Sequence, residues 1–224
     1  MAKMHGVAGE WARVKGVVLG LWPLFLGVFA FGASVPLTLF FPLWGSSLFI
    51  CSAVFVIVSL LRGLRHVERY FKGARGEERV SEILKTLPDV YHVFNDFTAG
   101  RSHVDHVVVG PGGVFSIETK FWSGKVTVEE PHILLDGQLP NRSPLVQATK
   151  EATIVRNALA KAGWNGAVMP VLTFASDSFV SRSACVRGVT VINSCELKKS
   201  FESNRVAIPP AELDRLVSIM ESIS

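Results

Sequence analysis

The stretch HVDHVVVGPGGVFSIETK, His103 to Lys120, places an acid early in one apolar run and a Glu-Thr-Lys at the end of the next. Val, Ile and Phe fill both runs, which predicts two strands joined by a turn at Gly110-Pro111-Gly112-Gly113. Pro presets the first turn angle and Gly tolerates the second. Gly110 then faces Gly113, Asp105 falls opposite Glu118, and His103 falls opposite Lys120. Because side chains alternate with period two, those four residues share one face, and Phe115, Ile117 and Thr119 take the other.

Like charges directly across a strand pair repel, so a positive group belongs between Asp105 and Glu118. A hard cation such as Mg²⁺, held by one or two carboxylates and water, meets that need. Lys120 is then placed to orient an attacking water or to stabilise charge on a phosphate. A half-exposed strand pair in which Lys120 merely neutralises Glu118 fits the same spacing equally well.

Working outward, GEERVSEILKTL predicts a helix over about 76–87, with Val80, Ile83, Leu84 and Leu87 as its apolar stripe and Pro88-Asp89 ending it. Glu77 lies on the line through Val80, Leu84 and Leu87, so helical geometry points it inward, whereas Glu78 falls with Ser81, Glu82 and Lys85. An inward carboxylate is costly unless paired or metal-bound. Favourable charge at a helix N-terminus is the other account of Glu77.

YHVFNDF precedes the central hairpin as a further strand, and KVTVEE and HILLDG follow it, joined by a turn at Glu130-Pro131. RSPLVQATKEATIVRNALAKAG predicts a helix with Ser143 as N-cap, Pro144 at the first position and Gly163 past the end. Gln147, in its first turn, points either at the sheet end or at solvent. AVMPVLTFAS and GVTVIN read as buried strands, and PPAELDRLVSIMESI as a closing helix. The sum is a mixed α/β layer architecture around a central sheet.

The N-terminal part has a different composition, since Gly16 to Leu61 contains no Asp, Glu, Lys or Arg. A membrane-spanning helix needs about 20 apolar residues. The run therefore holds two spans, about 16–34 and 43–61, turning near Ser34-Val35-Pro36. It is too long for a signal-peptide core. Lys3, Arg13 and Lys15 precede it and Arg62, Arg65, Arg69 and Lys72 follow it, so the positive-inside rule puts both ends in the cytoplasm.

This divides the chain into an anchor, residues 1–65, and a cytoplasmic domain, residues 70–224. The expected location is the inner, cytoplasmic membrane, as a multi-pass protein with the lipid bilayer as a partner. Topology accounts for much of the formal net charge of +4, which is weak support for nucleic-acid binding by itself. Arg101, Lys125, Arg142, Lys150 and Arg156 are scattered and form no basic cluster. Cys51, Cys185 and Cys195 form no CxxC and no disulfide framework, as suits a reducing compartment. Uncharged spans offer no pathway for a transporter.

From about Lys72 to Pro170 the sequence resembles the nuclease-related domain, NERD, of the PD-(D/E)XK phosphodiesterase superfamily. KGARGEERV, VDHVVVGPGGVFSIETK and SPLVQATKEA carry the resemblance. It implies an α/β restriction-endonuclease-like core, a mixed central sheet flanked by helices, preceded here by two transmembrane helices. It implies Asp105 and Glu118 as metal ligands, Lys120 as the catalytic lysine, Glu77 as the acidic residue of the first helix and a third ligand, and Gln147 as the polar residue of the later helix. The activity implied is hydrolysis of nucleic-acid phosphodiesters, DNA foremost, with Mg²⁺ or alternatively Mn²⁺. Phe121-Trp122 stands where the family often has a polar residue. His103 is either a phosphate donor or outer-shell group, or a surface histidine beside a turn. A nucleic-acid-binding or scaffold module without catalysis is the competing reading.

Overall fold

The computed structural model describes residues 1–100, 102–202 and 208–223. In chain order these form β1 (Lys3–His5), α1 (Glu10–Phe40), α2 (Pro42–Lys85), β2 (His92–Ala99), β3 (Ser102–Gly110), β4 (Gly113–Lys120), β5 (Val126–Glu129) and β6 (His132–Leu135). There follow α3 (Pro144–Lys161), β7 (Val168–Phe174), β8 (Ala184–Val186), β9 (Val189–Asn193), a 3₁₀ turn, α4 (Leu197–Glu202) and α5 (Pro210–Ile223). Contacts divide the chain into two compact units, Met1–Gly9 with Arg75–Ser224, and Glu10–Ala74.

The larger unit holds a seven-stranded sheet in the order β1-β2-β3-β4-β7-β9-β8. β2, β3 and β4 form an antiparallel meander, β4, β7 and β9 run parallel, and β8 returns antiparallel on β9. β5 and β6 form a separate hairpin. The β4-to-β7 connection includes α3, as a parallel crossover requires. Ser143 Oγ accepts the Val146 N–H at 3.5 Å, and Pro144 opens that helix as its punctuation predicts.

The sheet has a core on each face. On one, Val80, Leu84 and Leu87 meet Val93, Val108, Phe115, Ile117 and Phe201. On the other, Val155 and Leu159 of α3 and Leu216 and Met220 of α5 meet Phe94, Val107, Val109 and Val114. The β5–β6 hairpin is sealed through Val126 and Ile133 against Leu145, Leu172 and Phe174. This is the mixed α/β, restriction-endonuclease-like PD-(D/E)XK fold expected of the sequence.

Three boundaries differ from those expected. The helix expected from 76 is the end of α2, which begins at Pro42, because neither proline nor a cap interrupts residues 62–76. The break between the apolar helices falls at Phe41-Pro42 rather than at 34–36, with Pro23 and Pro36 inside α1. Proline suits the first helical position, where its missing N–H needs no partner, and Pro42 takes that place. Residues 1–9, grouped by sequence with 10–65, pack with 75–224 instead. β1 pairs parallel with β2, and the Lys3 N–H donates to Tyr91 O at 2.9 Å.

In the smaller unit α1 and α2 pack closely through glycine. A Cβ at Gly20 would lie 2.8 Å from Val67 Cγ2, and one at Gly27 would lie 2.8 Å from Phe55 Cδ1, while Gly32 has open space. Both helices are long and apolar enough to cross a membrane, and large side chains such as Phe25, Phe29 and Leu43 face outward. That is compatible with membrane association.

Candidate functional site

The β3–β4 hairpin has the expected register, Gly110 facing Gly113, with φ 128° at Gly113. Its last ladder pair is His106 with Ile117. Asp105 follows directly, and its Oδ2 accepts the Thr119 N–H at 2.9 Å, so the carboxylate bridges the strands where their ladder ends. The expected pairing of His103 with Lys120 is not formed. His103 stays on β2 opposite Thr98, and Lys120 pairs on its other edge with Phe174, because β3 and β4 part beyond the ladder.

Glu77 reaches the opening of this fork from α2. It is 8% exposed, Asp105 8% and Glu118 1%, so three carboxyls are withdrawn from water together. The Gly9 backbone N–H donates to Glu77, which brings the N-terminal segment into the site. One ligand atom each from Glu77, His103 and Asp105 lie within 4.8 Å of one another. His103 Nε2 is 3.6 Å from Asp105 Oδ1 and 3.3 Å from Asp96 Oδ1. The sequence trio was Asp105, Glu118 and Glu77, and in this compact group His103 stands in the place of Glu118.

Glu118 is engaged beside that group. Its Oε1 pairs with Lys120 Nζ, and Lys120 also donates to Gln147 Oε1 at 2.9 Å. Gln147 Nε2 donates in turn to Glu151 Oε1 at 3.0 Å. The site thus unites the five sequence candidates with His103, which the sequence offered as a phosphate donor or outer-shell group, and adds Glu151, 6% exposed, and Asp96. Glu151 was legible only as the residue one helical turn beyond Gln147. Asp96 carried no signal, since its position depends on a left-handed backbone, φ 50°, within β2.

Crowding governs the electrostatics. Burial, then repulsion from Asp105, Asp96 and Glu118, pushes the Glu77 carboxyl up to about 9. Burial and Glu118 push Glu151 up to about 11. Glu118 is raised by burial and Asp105, against the opposing pull of Lys120. Burial alone would raise Asp105, but the hydrogen bond from His103, the Thr119 N–H and Lys120 outweigh it and hold it low. Burial alone would lower Lys120, yet Glu118, Asp105 and Glu151 keep it above the ordinary lysine range.

Glu77 Oε2 is buried without a hydrogen-bond partner, whereas Glu118 meets the carboxyl of Glu151. An orphaned acceptor beside an excess of carboxyls fits a divalent cation, which would satisfy the oxygen and relieve the repulsion. The set Glu77, Asp105 and Glu118 could supply it with oxygen ligands, and His103 with nitrogen.

The departures at Phe121 and Trp122 are packing residues. Phe121 lies against Gly76 and the first core, and the Trp122 ring is 5.6 Å from that of Phe174. Lys125, Arg142, Lys150 and Arg156 are exposed, and Arg101 lies outside the described residues.

An acid where β3 leaves its partner, a Glu-x-Lys closing β4 and an acid on the preceding helix stand together beside the mixed sheet. Residues 72–175 match the family model described as the nuclease-related domain, NERD. Comparisons with curated proteins and with solved structures gave no match.

Proposed function

We propose that the domain is a divalent-metal-dependent nuclease that hydrolyses phosphodiester bonds of nucleic acid, with DNA as substrate. The observation that carries this reading is the gathering of Asp105, Glu118 and Glu151 around the ammonium of Lys120, with Glu77 beside Asp105, in a domain that matches the nuclease-related family model. Mg²⁺ or Mn²⁺, held by Asp105, Glu118 and Glu77, supplies polarisation of the phosphoryl oxygen and a more acidic bound water. Asp105 is already ionised and held in place by the Thr119 N–H. Lys120 stays charged and offers its protons to the attacking water or a phosphate oxygen, and Gln147 restrains it through its amide oxygen.

The two apolar helices anchor this domain to the inner membrane. Their hairpin topology is supported by β1, since residues before α1 share a sheet with residues after α2, and both ends therefore lie on one side. The basic flanks make that side the cytoplasm.

The test is cleavage of plasmid and oligonucleotide DNA by the full chain in detergent, beside Asp105→Ala and Lys120→Ala, with Mg²⁺, Mn²⁺ or EDTA. Cleavage that requires metal and is lost in both variants is expected. A folded chain that binds DNA equally in all three forms and never cleaves it would overturn the enzyme in favour of a binding module.

A further inference from the structure

The oxygen ligands proposed above suit Mg²⁺, but His103 does not belong in a site built for that ion alone. Its Nε2 lies 3.6 Å from Asp105 Oδ1, and it joins Glu77 and Asp105 in a group whose ligand atoms fall within 4.8 Å of one another. Ligands about one ion with bonds near 2.1 Å are about 3 Å apart in adjacent positions and about 4.2 Å apart in opposite ones. The 4.8 Å bound exceeds the wider of these by about 0.6 Å, a gap that a small side-chain adjustment closes on a single ion. A second observation is independent of the histidine, for Glu77 is 8% exposed and its Oε2 is buried with no hydrogen-bond partner.

His106 offers a contrast. It is fully buried, its Nδ1 lies 2.8 Å from Asn95 Oδ1 while its Nε2 is buried without a partner, and it stands outside the cluster. His103 instead places Nε2 between two carboxylates, Asp96 Oδ1 at 3.3 Å and Asp105 Oδ1 at 3.6 Å. Imidazole is a ligand of first-row transition ions, whereas Mg²⁺ takes oxygen and water almost exclusively.

We propose that His103 ligates the metal ion, making a mixed imidazole–carboxylate centre with Glu77 and Asp105 that holds a first-row transition dication in preference to Mg²⁺. The inference rests on the metal-site reading but not on cleavage. Glu118, paired with Lys120, lies to the side of this trio.

The experiment uses the full chain in detergent with Mn²⁺ as probe. Pulsed EPR reports whether a ¹⁴N nucleus couples to the bound ion, and calorimetry gives Mn²⁺ and Mg²⁺ affinities for the native chain, His103→Gln and His103→Asp. Expected are nitrogen coupling in the native chain, its loss in both variants, and Mn²⁺ affinity at least about tenfold weaker in His103→Gln with Mg²⁺ affinity nearly unchanged. Mn²⁺ bound without nitrogen coupling in the native chain overturns the proposal whether or not the variants fold. So does equal or tighter binding of both ions by His103→Gln, which would make His103 a competing cation. Binding of neither ion by the native chain would bring down the metal site itself. Nitrogen-coupled Mn²⁺ without DNA cleavage would keep this centre and sink the nuclease.

Discussion

Glu151 accepts a hydrogen bond from Gln147 Nε2 at 3.0 Å and so fixes which end of that amide faces Lys120. An amide without that second contact is free to swing away from the ammonium. Glu151→Ala should therefore loosen Lys120 and lower kcat for DNA cleavage about tenfold, within the range for a misoriented catalytic group, with KM little changed. Glu151→Gln keeps an acceptor at that point and should retain most activity. Equal losses in the two variants, seen in single-turnover cleavage, would exclude the orienting role.

Lys120 is the cation that neutralises Glu118, itself 1% exposed. Removing one partner of a buried ion pair costs about 3–5 kcal/mol, because the other charge is left uncompensated. Lys120→Met is expected to lose stability of that order in metal-free buffer, and adding Glu118→Gln should restore much of it. A guanidinium melt of the single and double variants checks this, and it separates instability from lost chemistry.

The acidic cluster sets a pH dependence. Glu77, pushed up to about 9, keeps a proton in the folded chain that the unfolded chain releases near 4.5. Stability from this group is therefore full below pH 4.5 and is lost as pH rises through about 9. Glu118 and Glu151 act in the same sense, being raised as well. Asp105, held low, acts oppositely, and its contribution is lost only as pH falls through its depressed value. The metal-free melting temperature should fall between pH 6 and pH 9, and Glu77→Gln should flatten that slope. Added Mn²⁺ should raise the melting temperature more at pH 8.5 than at pH 6, since binding displaces the protons. A metal-free melting temperature that climbs with pH would contradict the crowding.

Gly76 sits where a Cβ would lie 2.8 Å from Phe121 Cβ. Gly76→Val should cost about 1–3 kcal/mol by overpacking and weaken metal binding by displacing the adjoining Glu77. Relief by Phe121→Ala in a double-mutant cycle is the expected signature of this contact.

Membrane topology is open to thiol labelling. Phe41→Cys, between α1 and α2, should react with an impermeant maleimide from outside the cell, while the exposed Cys185 and Cys195 should react only after lysis. Labelling of Cys185 in intact cells would reverse the orientation.

The central hairpin was legible because two local constraints agree, a Gly-Pro-Gly-Gly turn and apolar runs of period two. Ser143-Pro144 marked α3 for a similar reason, a side-chain cap beside a residue preset for the first turn. The union of α2 into one helix was hidden, since two stretches of different composition share one backbone with nothing to end it. β1 was hidden because three residues carry no periodicity, and their strand identity comes from the edge of β2.

Sequence alone thus determined the apolar pair of helices, the hairpin that sets Asp105 before Glu118 and Lys120, and the family resemblance. Local spacing and composition suffice for these, because each depends on neighbours within one or two elements. Tertiary structure alone decided that β3 and β4 part at Asp105, that Glu77 and His103 meet there, and that Glu151 turns Gln147 toward Lys120. Periodicity fixes a side chain's face on its own element, but the distance between two such side chains is set by how helices dock on a twisted sheet.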